Sequence, residues 1–151
     1  MTKLTLFLEK HKEENTTLGS EILMSVKVGE NEWKVLLGLV DSGSSKSLAK
    51  KSAVENVTDS EMQKSETAKW KTNAGVFATE SKANIENAKL PQFTKHKEFD
   101  MNKVCVFEDE NEKHDTILGR EVCQNIGLDT LNSTKQFKWH GHLIHMVPSG
   151  H

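Results

Sequence analysis

The stretch Trp33-Lys34-Val35-Leu36-Leu37-Gly38-Leu39-Val40 reads as a β-strand that becomes wholly apolar at its end, and it runs without a break into Asp41-Ser42-Gly43-Ser44-Ser45. A carboxylate placed directly after a buried strand is expensive to bury unless it is paired or put to use. The segment before it, Ile22-Leu23-Met24-Ser25-Val26-Lys27-Val28-Gly29, alternates apolar and polar residues in its second half, the two-residue period of a half-buried strand. Gly29-Glu30-Asn31-Glu32 between the two is turn-like, so the pair predicts a hairpin whose second strand delivers Asp41.

The rest of the chain repeats that idiom. Trp70 to Thr79 has strand-like flanks around a small tip, Asn73-Ala74-Gly75, and predicts a second hairpin. Lys82 to Ala88 continues an alternating strand that Leu90-Pro91 ends. Met101 to Phe107 predicts a strand, and Glu108 to His114 a charged loop. After Thr116-Ile117-Leu118-Gly119-Arg120, the stretch Glu121 to Ile126 predicts a short helix stopped by Gly127. Thr134 to Trp139 alternates as a last strand. Ser47 to Val57 has room for a helical turn, and Ser60 to Lys69 is polar. Many short strands with turn signals and one helix near the end describe an all-β domain. We divide the 151 residues into a leader (1–18), a folded domain (19–140) and a tail or linker (141–151).

Composition narrows the function classes. Hydrophobic residues are 35% of the chain, enough for a modest core that a partner subunit would usefully extend. The formal net charge of -2, from 20 basic and 22 acidic side chains, argues against a nucleic-acid partner and against a polybasic membrane anchor. No apolar run approaches the roughly 18 residues that span a bilayer, and the first residues lack a secretory cleavage pattern. Cys105 and Cys123 stand far apart, in no metal or redox spacing, which fits an intracellular setting. His140, His142 and His145 have no cysteine or carboxylate beside them, so no metal and no cofactor is expected.

Two segments carry the chemistry together: Gly38-Leu39-Val40-Asp41-Ser42-Gly43-Ser44-Ser45 and, well downstream, Ile117-Leu118-Gly119-Arg120. With the intervening Ala74-Gly75-Val76-Phe77 hairpin, they resemble the retroviral-type aspartic proteases (retropepsins), above all those of long-terminal-repeat retrotransposons. Leu90-Pro91-Gln92-Phe93, Ile126-Gly127-Leu128-Asp129 and Phe137-Lys138-Trp139 extend the likeness over residues 20 to 140. Ser42 stands where the family more often has Thr, and Ser45 where many relatives have a carboxylate facing the later Arg, which leaves the partner of Arg120 open.

The resemblance implies a retropepsin-like closed β-barrel with a flap hairpin and one short C-terminal helix. It also implies an endopeptidase acting on an extended peptide or polyprotein. Hydrolysis by this route needs two carboxylates sharing one proton, one taking a proton from water while the other donates to the carbonyl oxygen. The chain has one Asp-Ser-Gly and is too short for two lobes, so a homodimer is implied, in which Asp41 of each copy meets on a two-fold axis. Gly43 would bring its amide to the carboxylate, Ser44 would bond an outer carboxylate oxygen, and Ser42 would reach to the partner's backbone. Asn73, Ala74, Gly75, Val76 and Phe77 would form the flap over substrate, and Ile117, Leu118, Gly119 and Arg120 would support the loop from behind. The competing function is a retropepsin-like dimerisation or peptide-binding module with weak or no hydrolysis.

Overall fold

A computed structural model describes residues 20–55, 57, 61–131 and 133–145. The fold is mostly β. Among the described residues ten strands run in chain order: β1 (Glu21–Lys27), β2 (Trp33–Val40), β3 (Leu48–Lys50), β4 (Gln63–Thr72), β5 (Gly75–Ala88), β6 (Phe99–Phe107), β7 (Thr116–Leu118), β8 (Asp129–Leu131), β9 (Gln136–Trp139) and β10 (His142–His145). The described residues also include a single helical turn, α1 (Lys51–Val54), and α2 (Arg120–Ile126). The proposed leader, 1–18, lies outside the described residues, as do 146–151 of the tail; residues 142–145 pair with β9 as a hairpin.

Seven strands form one sheet in the order β1-β2-β7-β3-β6-β5-β4, and β10-β9-β8 form a second. The β1–β2 hairpin pairs Glu21 with Leu39 and Lys27 with Trp33. Two parallel pairings sit at the middle of the large sheet, β2 with β7 and β3 with β6. Register shifts near Ala83, Ile85 and Ala88 bend β5. Its end reaches β1, where Ser25 and Lys89 exchange backbone hydrogen bonds of 2.8 and 2.9 Å.

Strand alternation sorts the apolar residues to two faces. Ile22, Met24 and Val26 of β1 enter the larger core with Leu36, Val40, Ile85, Met101 and Leu118. Phe137 and Trp139 of β9 belong to it too, with Phe93 and Phe99 edge-on to the Trp139 ring at 6.0 and 5.7 Å. The Trp139 indole N–H donates to the carbonyl of Ile126 at 2.9 Å, tying β9 to the end of α2. Gly127, at φ 77°, adopts the left-handed conformation that ends α2, as its sequence position predicts. The other face carries a smaller cluster, Leu48, Phe77, Cys105, Phe107 and Ile117, with Leu39, Trp70 and Ala74 packed against it. Phe77, Trp70 and Ala74 bring the β4–β5 hairpin into that smaller cluster.

Candidate active site

Asp41 follows β2, and its amide continues the parallel ladder by donating to the carbonyl of Leu118 at 2.9 Å. Its side chain is 1% exposed. Oδ1 accepts the Gly43 amide at 2.9 Å, and Oδ2 accepts the Asn73 amide at 2.7 Å. One donor comes from the aspartate's own loop; the other comes from the tip of the β4–β5 hairpin, 32 residues away in sequence. Each oxygen of this buried carboxyl group therefore has a hydrogen-bond partner.

The loop is braced from behind. Arg120 donates its amide to the Ser44 carbonyl at 2.9 Å, and the Gly119 amide donates to Ser47 Oγ at 2.8 Å. Ser47 accepts the Cys105 amide on its carbonyl at 3.1 Å. A Cβ on Gly119 would sit 2.5 Å from the Lys46 carbonyl oxygen and 2.8 Å from that of Ser44, so only glycine lets the two segments cross this closely. The hairpin tip is braced by Thr72, whose Oγ1 accepts the Ala74 amide at 3.0 Å and donates to the Gly75 carbonyl at 2.9 Å. Further back, the Trp70 indole donates to Thr79 Oγ1 at 2.8 Å.

Asp41, Gly43 and Asn73 meet at the site, with Ile117, Leu118, Gly119 and the Arg120 backbone behind it. Ser44 is a correction: its hydroxyl donates to the Lys46 carbonyl at 2.6 Å instead of reaching the carboxylate, because a local carbonyl competes for a short side chain. Ser42 is exposed. In the flap, Val76 is 66% exposed, whereas Phe77 is buried against Phe107 with ring centroids 4.4 Å apart. Ile117, fully buried, shares a cross-strand row with Leu39 and Leu48.

Sequence reasoning missed what lies at the other end of that row. Glu21 stands opposite Leu39 and is buried. Its Oε2 lies 3.5 Å from Nε2 of the buried His114, whose Nδ1 is 2.9 Å from Glu112 Oε1; Lys113 reaches Glu21 Oε1 at 3.5 Å. Burial by itself would raise the Glu21 carboxyl, but His114 and Lys113 outweigh it and hold the group below its ordinary value. Burial would likewise lower the His114 imidazole, but Glu21 and Glu112 outweigh it and raise it. The His114 contribution to stability is therefore fully present below about pH 6.5 and is lost as pH rises through its raised folded value. The Glu21 contribution is present above about pH 4.5 and is lost as pH falls through its lowered folded value. We expect the urea midpoint to be highest between these limits and to fall towards pH 8. His114→Gln should flatten the alkaline side, and an unchanged alkaline slope in that variant would assign the loss to other groups.

The cysteines do not offer a nucleophile. Burial and the Glu121 charge push the Cys123 thiol up to about 11, and burial raises Cys105. Among the described residues no cluster of three His, Cys, Asp or Glu is arranged to hold a metal ion, and no helix is long and apolar enough to cross a membrane.

No family model and no curated protein matches the chain. Among solved structures, it is similar to the crystal structure of the retroviral protease-like domain of Ddi1 from Leishmania major, at 10% identity and a TM-score of 0.47, over 87% of this chain and 96% of that one.

Proposed function

We propose that the chain is a retropepsin-type aspartic endopeptidase that works as a homodimer and cleaves a retroelement polyprotein. The observation that carries this reading is the placement of Asp41: a buried carboxylate held on one oxygen by its own Gly43 loop and on the other by the tip of a hairpin. The carboxyl group stands where a braced loop meets a hairpin tip, between which a reacting group would enter.

In the dimer the two Asp41 side chains share a proton. One takes a proton from water as the water oxygen attacks the peptide carbonyl carbon, and the other donates a proton to the carbonyl oxygen. Collapse of the tetrahedral intermediate breaks the C–N bond with proton transfer to the departing amine. The hairpin tip lifts from Asp41 to admit substrate and closes over it, excluding water. The peptide lies extended between the Asp41 loop and the hairpin tip, its backbone hydrogen-bonding to the tip.

A second reading is favoured by the same bond from Asn73: the tip amide occupies the carboxylate oxygen at which water would be activated, as a binding module without hydrolysis could tolerate. Incubation with a polyprotein-derived peptide library, with and without pepstatin, separates the two. We expect pepstatin-sensitive cleavage with a bell-shaped pH profile and an acidic optimum. Activity should also fall faster than linearly on dilution below the dimer dissociation constant. Peptide binding without cleavage at any pH would favour the module.

A further inference from the structure

Beside the aspartate loop lies a concavity of about 470 Å³ that the proposed chemistry does not use. It is lined by Val40 and Ser42, by Arg120 at the start of α2 and Asp129 at the start of β8, and by the apolar Cys123 and Leu128. Arg120 and Asp129 are both exposed, and among the described residues neither side chain makes an ion pair or a hydrogen bond. β8 is an edge of its three-stranded sheet, pairing only with β9 among the described strands. One hollow thus offers a free cation, a free anion, an apolar lining and an open strand edge.

A two-fold interface is self-complementary: if residue i of one copy meets residue j of the other, j also meets i. A hollow lined by a positive and a negative side chain satisfies that condition when the axis passes through it. The proposed chemistry already requires an axis beside Asp41, and Ser42, the next residue, lines this hollow. Resting on that dimeric reading, we infer that Arg120 of each copy pairs with Asp129 of the partner subunit, and that this reciprocal pair decides whether two copies associate. It also gives the exposed Arg120 guanidinium a partner.

The arrangement gives a complementation test by sedimentation velocity on the full chain. Arg120→Asp and Asp129→Arg each place two like-charge pairs in a homodimer, and each should weaken association by about 100-fold. The double variant Arg120→Asp/Asp129→Arg should recover most of it. An equimolar mixture of the two single variants should form a heterodimer, because both contacts there again unite opposite charges. Circular dichroism checks that each chain is folded. If a reversal variant fails to fold, the wild-type protein still tests the idea: its dimer should weaken as salt rises from 0.05 to about 0.5 M, as for a screened ion pair, and Arg120→Gln should flatten that dependence. Single reversals that dimerise like wild type, folded single variants that fail to associate on mixing, a salt-independent dimer or a wild-type protein that stays monomeric would each overturn the inference. A charge-dependent dimer that cleaves nothing would sink the protease reading and leave this pair standing. An active dimer indifferent to charge reversal would do the opposite.

Discussion

Asp41→Asn should abolish peptide cleavage, by about 10³-fold or more, while leaving the chain folded. The asparagine keeps the shape of the carboxylate and one oxygen, which can still accept the Gly43 amide now 2.9 Å away. It cannot share a proton or take one from water, so the acid–base step is lost. The substitution also leaves a second mark. The side-chain NH2 would face the Asn73 amide, which donates to Oδ2 at 2.7 Å, and two donors cannot bond each other. The hairpin tip should therefore loosen, with faster amide hydrogen exchange at Asn73 and unchanged protection in β1 and β2. Cleavage that survives in this variant would remove Asp41 from the mechanism. Loss of cleavage with no change at Asn73 would mean that the tip is not held by the carboxylate.

Gly119→Ala should be strongly destabilising. The new methyl would lie 2.5 Å from the Lys46 carbonyl oxygen and 2.8 Å from that of Ser44. Both are backbone atoms and cannot rotate aside as a side-chain end would. Relief requires moving the 41–47 loop from β7, and with it the bonds from Arg120 to Ser44 and from Gly119 to Ser47. A cost of about 3 kcal/mol or more is expected, read as a lower urea midpoint, and activity should fall further than stability because Asp41 rides on that loop. Gly29→Ala is the control: its Cβ would approach nothing nearer than 3.5 Å, the side chain of Glu32, and the midpoint should barely move. Equal midpoints for the two variants would show that the crossing is not tightly packed.

The parts of this fold that were legible in sequence are those whose cause is local. The β1–β2 hairpin, the β4–β5 tip and the end of α2 at Gly127 follow from alternation, turn residues and a glycine stop. Asp41 stood out because a charge follows an apolar strand. The parts that were not legible depend on distant partners. β3, only Leu48–Lys50, exists because β6 and β7 flank it. β4 begins inside a segment that read as merely polar, since as the sheet's edge strand it buries little and shows no clean alternation. β8 and β10 are short edge strands held by β9. Glu21 and His114 meet only because β1 and the loop before β7 flank the same strand, β2. Ser44 was placed at the carboxylate from the family pattern, but a carbonyl two residues on is closer at hand. The hairpin tip was foreseen; its direct bond to Asp41 was not, because no sequence rule sets how far a hairpin folds over a sheet.

Whether hydrolysis draws one Asp41 from each of two chains is tested most directly by subunit mixing. Wild-type protein is equilibrated with a tenfold excess of Asp41→Asn chain, and peptide cleavage is followed. If each active centre draws one aspartate from each copy, random exchange leaves few wild-type pairs, and activity should drop to about a tenth of that of the same wild-type protein alone. Activity that is unchanged by the excess, with subunit exchange verified by a labelled chain, would show that a single Asp41 suffices and would contradict the account.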